Sequence, residues 1–246
     1  MEINYSLFKY IKGEFEAEGL TRENIAAEAL FAARKGLDYL VKISGAEAKS
    51  DIFYITDLGI NAIVCPMVET EFAMRKYMEM LPEGTFNHIS VTIETITAVA
   101  NIDSIIRKGK ALTELVIGRT DLTASWSGDN VESPRTTEMV KTVARAGRAA
   151  GLKIAMGGSI SHETRALLQS DAELRGLIDY VETRKAVMLV EDFIQESTLA
   201  HALQLEEALL RRRVKESERT FSAINSRIAT LSKRGLINET IIALGL

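Results

Sequence analysis

The chain has 246 residues, 46% of them apolar and 26% charged, with a formal net charge of −4; this is the balance of a globular protein with one large core, and it excludes a disordered tail or a compositionally biased fibre. The negative charge provides no clustered positive surface for nucleic acid or anionic membrane, so neither is expected as a partner and the ligand should be a small polar molecule. Cys65 is the only cysteine, which leaves no intrachain disulfide or multi-cysteine metal site; with no membrane-length apolar run and no secretory signal in MEINYSLFKYIKGEF, a cytoplasmic location is expected.

Short β-branched runs alternate with amphipathic segments from the start. YIKGEF (10–15) precedes a helical pattern across 21–35, YLVKIS (39–44) a helix near 46–58, and NAIVCP (61–66) a helix near 69–80. HISVTIE (88–94) leads to a helix at 96–108, LTELVIG (112–118) to one at 134–150, LKIAMGG (152–158) to one at 161–171, and IDYVE (178–182) is a seventh strand. Such alternation implies parallel strands joined by crossover helices, and the nearly all-apolar strands imply burial on both faces. Gly36, Gly59, Gly109 and Gly151 stand where C-terminal caps should end four of the helices. The expected fold is α/β, a (β/α)8 TIM-type barrel over 1–189, with its eighth strand near MEINYSLF or after Lys185. Beyond 189 the sequence reads as helix only, through Leu199, Leu203, Leu205 and Leu209, the charged stretch RRRVKESER and a last amphipathic piece to Leu246. RRRVKESER reads as a solvated helix face. The surplus apolar surface of 190–246 suggests packing on the barrel or on a neighbouring subunit of a homo-oligomer.

In such a barrel the chemistry sits at the carboxyl ends of the strands and in the loops that follow. The polar residues there are Glu14 and Glu16, Lys42, Glu69, Glu94, Arg119 and Asp121, Gly157 to Ser159, and Glu182, Arg184 and Lys185. Glu94 and Asp121 offer hard oxygen ligands from successive strands, as Mg2+ or Mn2+ requires, or they are helix caps or first-turn acids favoured by the helix dipole. Lys42 ends an apolar strand and should face a carboxylate, a substrate anion or a carbonyl carbon. Gly157, Gly158 and Ser159 could present backbone N–H groups to an anion, or form a tight turn with Ser159 or Ser161 as the cap. None of His88, His162 and His201 falls at a strand's carboxyl end, Cys65 reads as a buried core residue, and Trp126 as a pocket wall or a plug.

GINAIVCPMVETEFAMRKYM, VTIETITAVANIDSII and VIGRTDLTASWS resemble successive signatures of the pyruvate-dependent class II aldolase and citrate lyase beta-subunit family, over roughly residues 11–187. The resemblance implies a (β/α)8 barrel in which Glu94 and Asp121 hold a divalent metal, Mg2+ or Mn2+, that stabilises the enolate of pyruvate or a related 2-oxo acid. It implies a carbon–carbon lyase joining or releasing an aldehyde or acyl partner; on that reading Lys42 with Arg119 or Arg184 would bind anionic groups, and the strand-end residues Lys185, Thr92 and the Gly157–Ser159 turn would contact the substrate. The chain departs from the family pattern in several places. Lys42 replaces an arginine that supports the developing charge, and Thr92 stands where a glutamine is frequent. In KGEFEAEG, Phe15 and Lys12 replace the histidine and aspartate of a proton-transfer dyad, so Glu16 or Glu14 would have to substitute, and the loop LPEGTFNH is short. These changes imply a substrate other than the family's usual one. They also keep open a Schiff-base aldolase using Lys42 and a non-catalytic binding barrel.

Overall fold

The computed structural model describes residues 2–233. Eight strands form one closed sheet in sequence order: β1 (Tyr10–Glu14), β2 (Asp38–Lys42), β3 (Ala62–Cys65), β4 (His88–Ile93), β5 (Glu114–Gly118), β6 (Lys153–Gly157), β7 (Tyr180–Glu182) and β8 (Ala186–Leu189). The helices are α1 (Phe15–Glu18), α2 (Arg22–Arg34), α3 (Lys49–Asp57), α4 (Glu71–Met80), α5 (Ile96–Ala100), α6 (Ile102–Lys108), α7 (Arg119–Ala124), α8 (Pro134–Ala149), α9 (His162–Ser170), α10 (Ala172–Leu177), α11 (Val190–Phe193) and α12 (Thr198–Lys233). The barrel read from the alternation is therefore present, and its eighth strand lies after Lys185.

That strand runs antiparallel to both β7 and β1, whereas β1 to β7 are parallel. Only Thr183, Arg184 and Lys185 separate β7 from β8, far fewer residues than a crossover needs, so the chain can only turn back as a hairpin. Thr183 N–H donates to Ala186 O at 2.9 Å and closes the turn. One further expectation changes: Gly36, Gly59 and Gly151 have the positive φ of a left-handed cap, but Gly109 has φ −82°. Gly109 is required by space instead, since an added Cβ would meet Leu112 and the Met74 Cε.

Helix starts follow from hydroxyl caps that accept backbone N–H groups: Thr21 for α2, Thr70 for α4, Thr95 for α5, Ser133 ahead of Pro134 for α8, and Ser161 for α9. Strand alternation then divides side chains between the helices and the barrel interior. The interior is apolar at its middle, where Leu40, Val64, Val116, Ala155 and Val187 pack together, and polar at both ends. At the amino end the buried Glu114 carboxyl, pushed up by burial, lies 3.4 Å from His88 Nε2. At the carboxyl end Lys12, Glu14, Thr92 and Glu182 come from the same inward rows.

Lys185, expected to contact substrate, is fully buried outside that interior. Its Nζ is 2.7 Å from Glu18 and 2.8 Å from Glu28, and the Tyr39 hydroxyl donates to the same Glu28 oxygen at 2.8 Å. The ammonium fastens the β7–β8 turn to α1 and α2. The chain divides into two compact units, one ending at Glu206 and one beginning at Glu207, later than the boundary at 189 read from the sequence; residues 234–246, including the amphipathic piece to Leu246, lie outside the described residues. Among the described residues no helix is long and apolar enough to cross a membrane.

Replacing Lys185 by Met keeps the volume but removes the ammonium that lies between two buried carboxylates. We expect Lys185→Met to lower the unfolding free energy by about 3–5 kcal/mol, measured by urea denaturation; a loss below about 0.5 kcal/mol, the range of ordinary surface changes, would contradict the structural role.

Candidate active site

The carboxyl ends of the strands open into a cavity of about 540 Å³ lined by Lys12, Glu14, Lys42, Thr92, Glu94, Gly118, Asp121, Glu182 and Arg184, with Thr120, Gly158 and Ser159 on one wall and Leu203 and Glu206 at its edge. A shallower cavity of about 350 Å³ continues past Glu14, Lys42, Glu94 and Asp121 to Glu16 and Met67. Most of the residues singled out from the sequence are thus brought together, through strand ends far apart in the chain.

Glu94 follows β4 and is 3% exposed. Its Oε1 accepts hydrogen bonds from the Thr92 hydroxyl at 2.6 Å and from Met67 N–H at 2.9 Å, while its Oε2 stands 3.8 Å from Lys42 Nζ. Met67 adopts φ +55° to aim that N–H, a left-handed conformation that costs a side-chain-bearing residue energy and clusters at functional sites. Gly118 keeps the other oxygen clear, because a Cβ there would lie 2.7 Å from Glu94 Oε2. Glu94 is no helix cap; Thr95 caps α5 through Ala98 N–H. Asp121 sits in the first turn of α7, exposed, and its carboxylate forms no hydrogen bond or ion pair with any described residue.

Lys12, on β1 two residues before Glu14, was not singled out by the sequence as a contributor. Its Nζ lies 2.9 Å from both Glu14 and Glu182. Burial works against the ammonium, but the two carboxylates outweigh it and hold the Lys12 pKa above the ordinary lysine value. The Glu14 carboxyl is buried too, and Lys12 and Lys42 nevertheless hold it below the usual carboxylate range. Glu182 was noted at a strand end but given no role; it ends β7 as expected, and what the sequence did not reveal is the β7–β8 hairpin that closes the sheet between it and Lys12.

Two expected contacts are corrected. Arg119 is 1% exposed and does not line the cavity. Its guanidinium donates to Gly157 O, Gly158 O and Thr164 and pairs with Glu132 at 2.7 Å, so it braces the β6–α9 loop. Gly157 is a spacer as well, since its Cβ would come within 2.9 Å of Glu182. Gly158, at φ +86°, presses against the backbone N of Thr120, where a Cβ would come within 2.5 Å; Ser161, not Ser159, is the cap of α9. Cys65 is buried and its thiol is pushed up to about 12 by burial, which suits a core residue and not a nucleophile. Trp126 lies under the Arg135 guanidinium, away from both cavities.

The model of the HpcH/HpaI aldolase/citrate lyase family matches residues 26–174. The chain belongs to this family. Among solved structures it is similar to an HpcH/HpaI aldolase from Desulfitobacterium hafniense DCB-2, with 18% identity and a TM-score of 0.57 over 66% of this chain and 73% of that one. It is similar to the citrate synthase SbnG at 17% identity and a TM-score of 0.59, covering 85% of each chain. It also resembles a Haloferax volcanii malate synthase in complex with pyruvate and acetyl-CoA, at 17% identity and a TM-score of 0.54, over 69% of this chain and 55% of that one. At these identities the likenesses show the shared barrel. A comparison with curated proteins finds no match.

Lys12 is the counterion that keeps Glu14 ionised inside the barrel. Lys12→Met should raise the Glu14 titration, followed by 13C NMR of the side-chain carboxyls, because burial is then opposed only by Lys42 and Arg184 and no longer by the ammonium that touches Glu14. A Glu14 titration unchanged by the substitution would contradict the pairing.

Proposed function

We propose that the protein makes or breaks a carbon–carbon bond adjacent to the carbonyl of a 2-oxo acid such as pyruvate, with an aldehyde or acyl compound as the second partner and Mg2+ or Mn2+ held by Glu94 and Asp121. The observation that carries this reading is the pair itself: one carboxylate locked through Oε1 with Oε2 kept clear by a glycine, and a second without a protein partner, on one cavity. Five carboxylates line that cavity (Glu14, Glu94, Asp121, Glu182, Glu206) against three cations (Lys12, Lys42, Arg184), an excess of two negative charges that a divalent ion offsets. Among the described residues no group of three or more His, Cys, Asp or Glu could hold a metal; two carboxylates suit a hard cation that keeps water and substrate oxygens in its remaining positions. A cation bound there supplies Lewis-acid stabilisation of the charge that develops on the carbonyl oxygen.

The chain's own residues divide the remaining work. Lys42, beside Glu94, binds the 2-oxo acid's carboxylate, and Arg184 at the exposed hairpin turn meets an anionic group on the second partner. Glu14 is a weak proton acceptor because Lys12 and Lys42 stabilise its ionised form. Glu16, whose side chain has no hydrogen-bond or ion-pair partner among the described residues, stands over the shallower cavity and accepts the proton in place of the histidine. Arg119 and Thr92 act by holding the loop and Glu94.

A second reading has its own observation. Among the described residues Lys42 Nζ makes no hydrogen bond and its ion pair, with Glu94, is long at 3.8 Å, whereas Lys12 is held charged on two sides; of the two lysines, Lys42 is the one that could attack a carbonyl as a Schiff-base amine.

With Mg2+ or Mn2+ the protein is expected to exchange the methyl protons of pyruvate for deuterium without any aldehyde. Glu94→Gln and Asp121→Asn should each slow this by about a hundredfold or more, and Glu16→Gln should slow it with both carboxylate ligands intact. Exchange that persists in EDTA, together with a borohydride-trapped pyruvate adduct on Lys42, would replace the metal reading with the Schiff-base one.

A further inference from the structure

The second unit poses a different problem. From Ser217 to Ala229 every residue of α12 is exposed, so this stretch has water on all sides. Such a helix is marginal by itself, since helices in proteins draw most of their stability from a packed apolar face. This one carries such a face uncovered: Leu210, Val214, Phe221, Ile224 and Ile228 are 47%, 58%, 68%, 52% and 46% exposed. With Ser217 they follow one another at spacings of four, three, four, three and four residues, the alternation that keeps a seam facing a partner helix. The seam places Val214, Phe221 and Ile228 at the a positions and Leu210, Ser217 and Ile224 at d, over about 27 Å of helix.

The flanking charges select the occupant and its direction. In this register Glu206 and Arg213 take g positions, and Arg211 and Glu218 take e positions. In a parallel pair, each g residue meets the e residue five positions later on the other helix. Arg213 then faces the partner's Glu218. The fully overlapped antiparallel arrangement sets Arg213 against the partner's Arg227 and Glu218 against the partner's Glu218, both repulsive. We propose that the α12 seam from Leu210 to Ile228 pairs with the same segment of a second copy of this chain as a parallel, in-register coiled coil. The small Ser217 at d lets the two helices approach closely at the middle of the seam, and the ion pairs within each helix, Glu207 with Arg211 and Arg212 with Glu216, stiffen each strand without occupying the seam.

The experiment uses the full chain, whose one native cysteine, Cys65, is buried. In a parallel in-register pair the two copies of residue 217 face each other within disulfide reach, so Ser217→Cys should give a covalent dimer on mild oxidation. Arg219→Cys, on the outer f position, should not. Arg213→Glu should lower the dimer mass fraction seen by light scattering at micromolar concentration, and adding Glu218→Arg in the same chain should restore it. Circular dichroism confirms that the variants keep the barrel. Equal cross-linking from positions 217 and 219 would overturn the proposal, as would a charge-swapped pair no different from the single variant. A clean monomer that does not cross-link would also overturn it.

Discussion

An ammonium held inside the barrel between two carboxylates is the constraint on which the rest of this structure turns. Lys12 comes from the first strand and Glu182 from the seventh, 170 residues apart, and they meet only because the hairpin into β8 closes the sheet between them. Inside a barrel a lone ammonium would be prohibitively costly to bury. The same closure brings Lys185, on the outer side of the turn, against Glu18 and Glu28. The β7–β8 turn therefore works on both faces: one lysine pair ties it to the helices, and the opposing carboxylate completes the floor of the cavity.

That floor sets the electrostatics in which Glu94 and Asp121 operate. Lys12 and Lys42 hold Glu14 below the usual carboxylate range despite burial, and the carboxylates lining the cavity outnumber its cations. Glu94 is further constrained by a strained backbone, because Met67 holds a left-handed φ to donate one N–H to it. Strain of this kind persists only where the surroundings over-determine it. Arg119 extends the same logic one layer out: it spends its donors on the Gly157 and Gly158 carbonyls and on Thr164, and so fixes the wall opposite Glu94.

Much of this was legible in the sequence for a physical reason. Strands buried on both faces read as apolar runs, glycines mark several helix ends, and a charged residue at the end of an apolar run marks a strand's carboxyl end; Glu94, Asp121 and Lys42 were found in that way. What stayed hidden depends on pairing across the fold. Nothing local distinguishes Lys12 from a solvated lysine, and it meets Glu182 only because a three-residue turn sends β8 back between β7 and β1. The same turn makes Arg184 exposed and its neighbour Lys185 buried, although both look alike as cations after a strand. Arg119 misled for a related reason, since its position after β5 is right for a ligand contact but its side chain is directed by Glu132 in a later loop. Met67 contributes only a backbone N–H, and no side chain announces that.

The proposed function requires Glu94 and Asp121 to hold one divalent cation together with the 2-oxo acid. Titration of Mn2+ into the protein, followed by water-proton relaxation with and without pyruvate, tests this most directly. The account predicts one Mn2+ site per chain, tightened by pyruvate and lost in Glu94→Gln and in Asp121→Asn while both variants remain folded. Equal Mn2+ binding by wild type and the two variants, or binding indifferent to pyruvate, would contradict it.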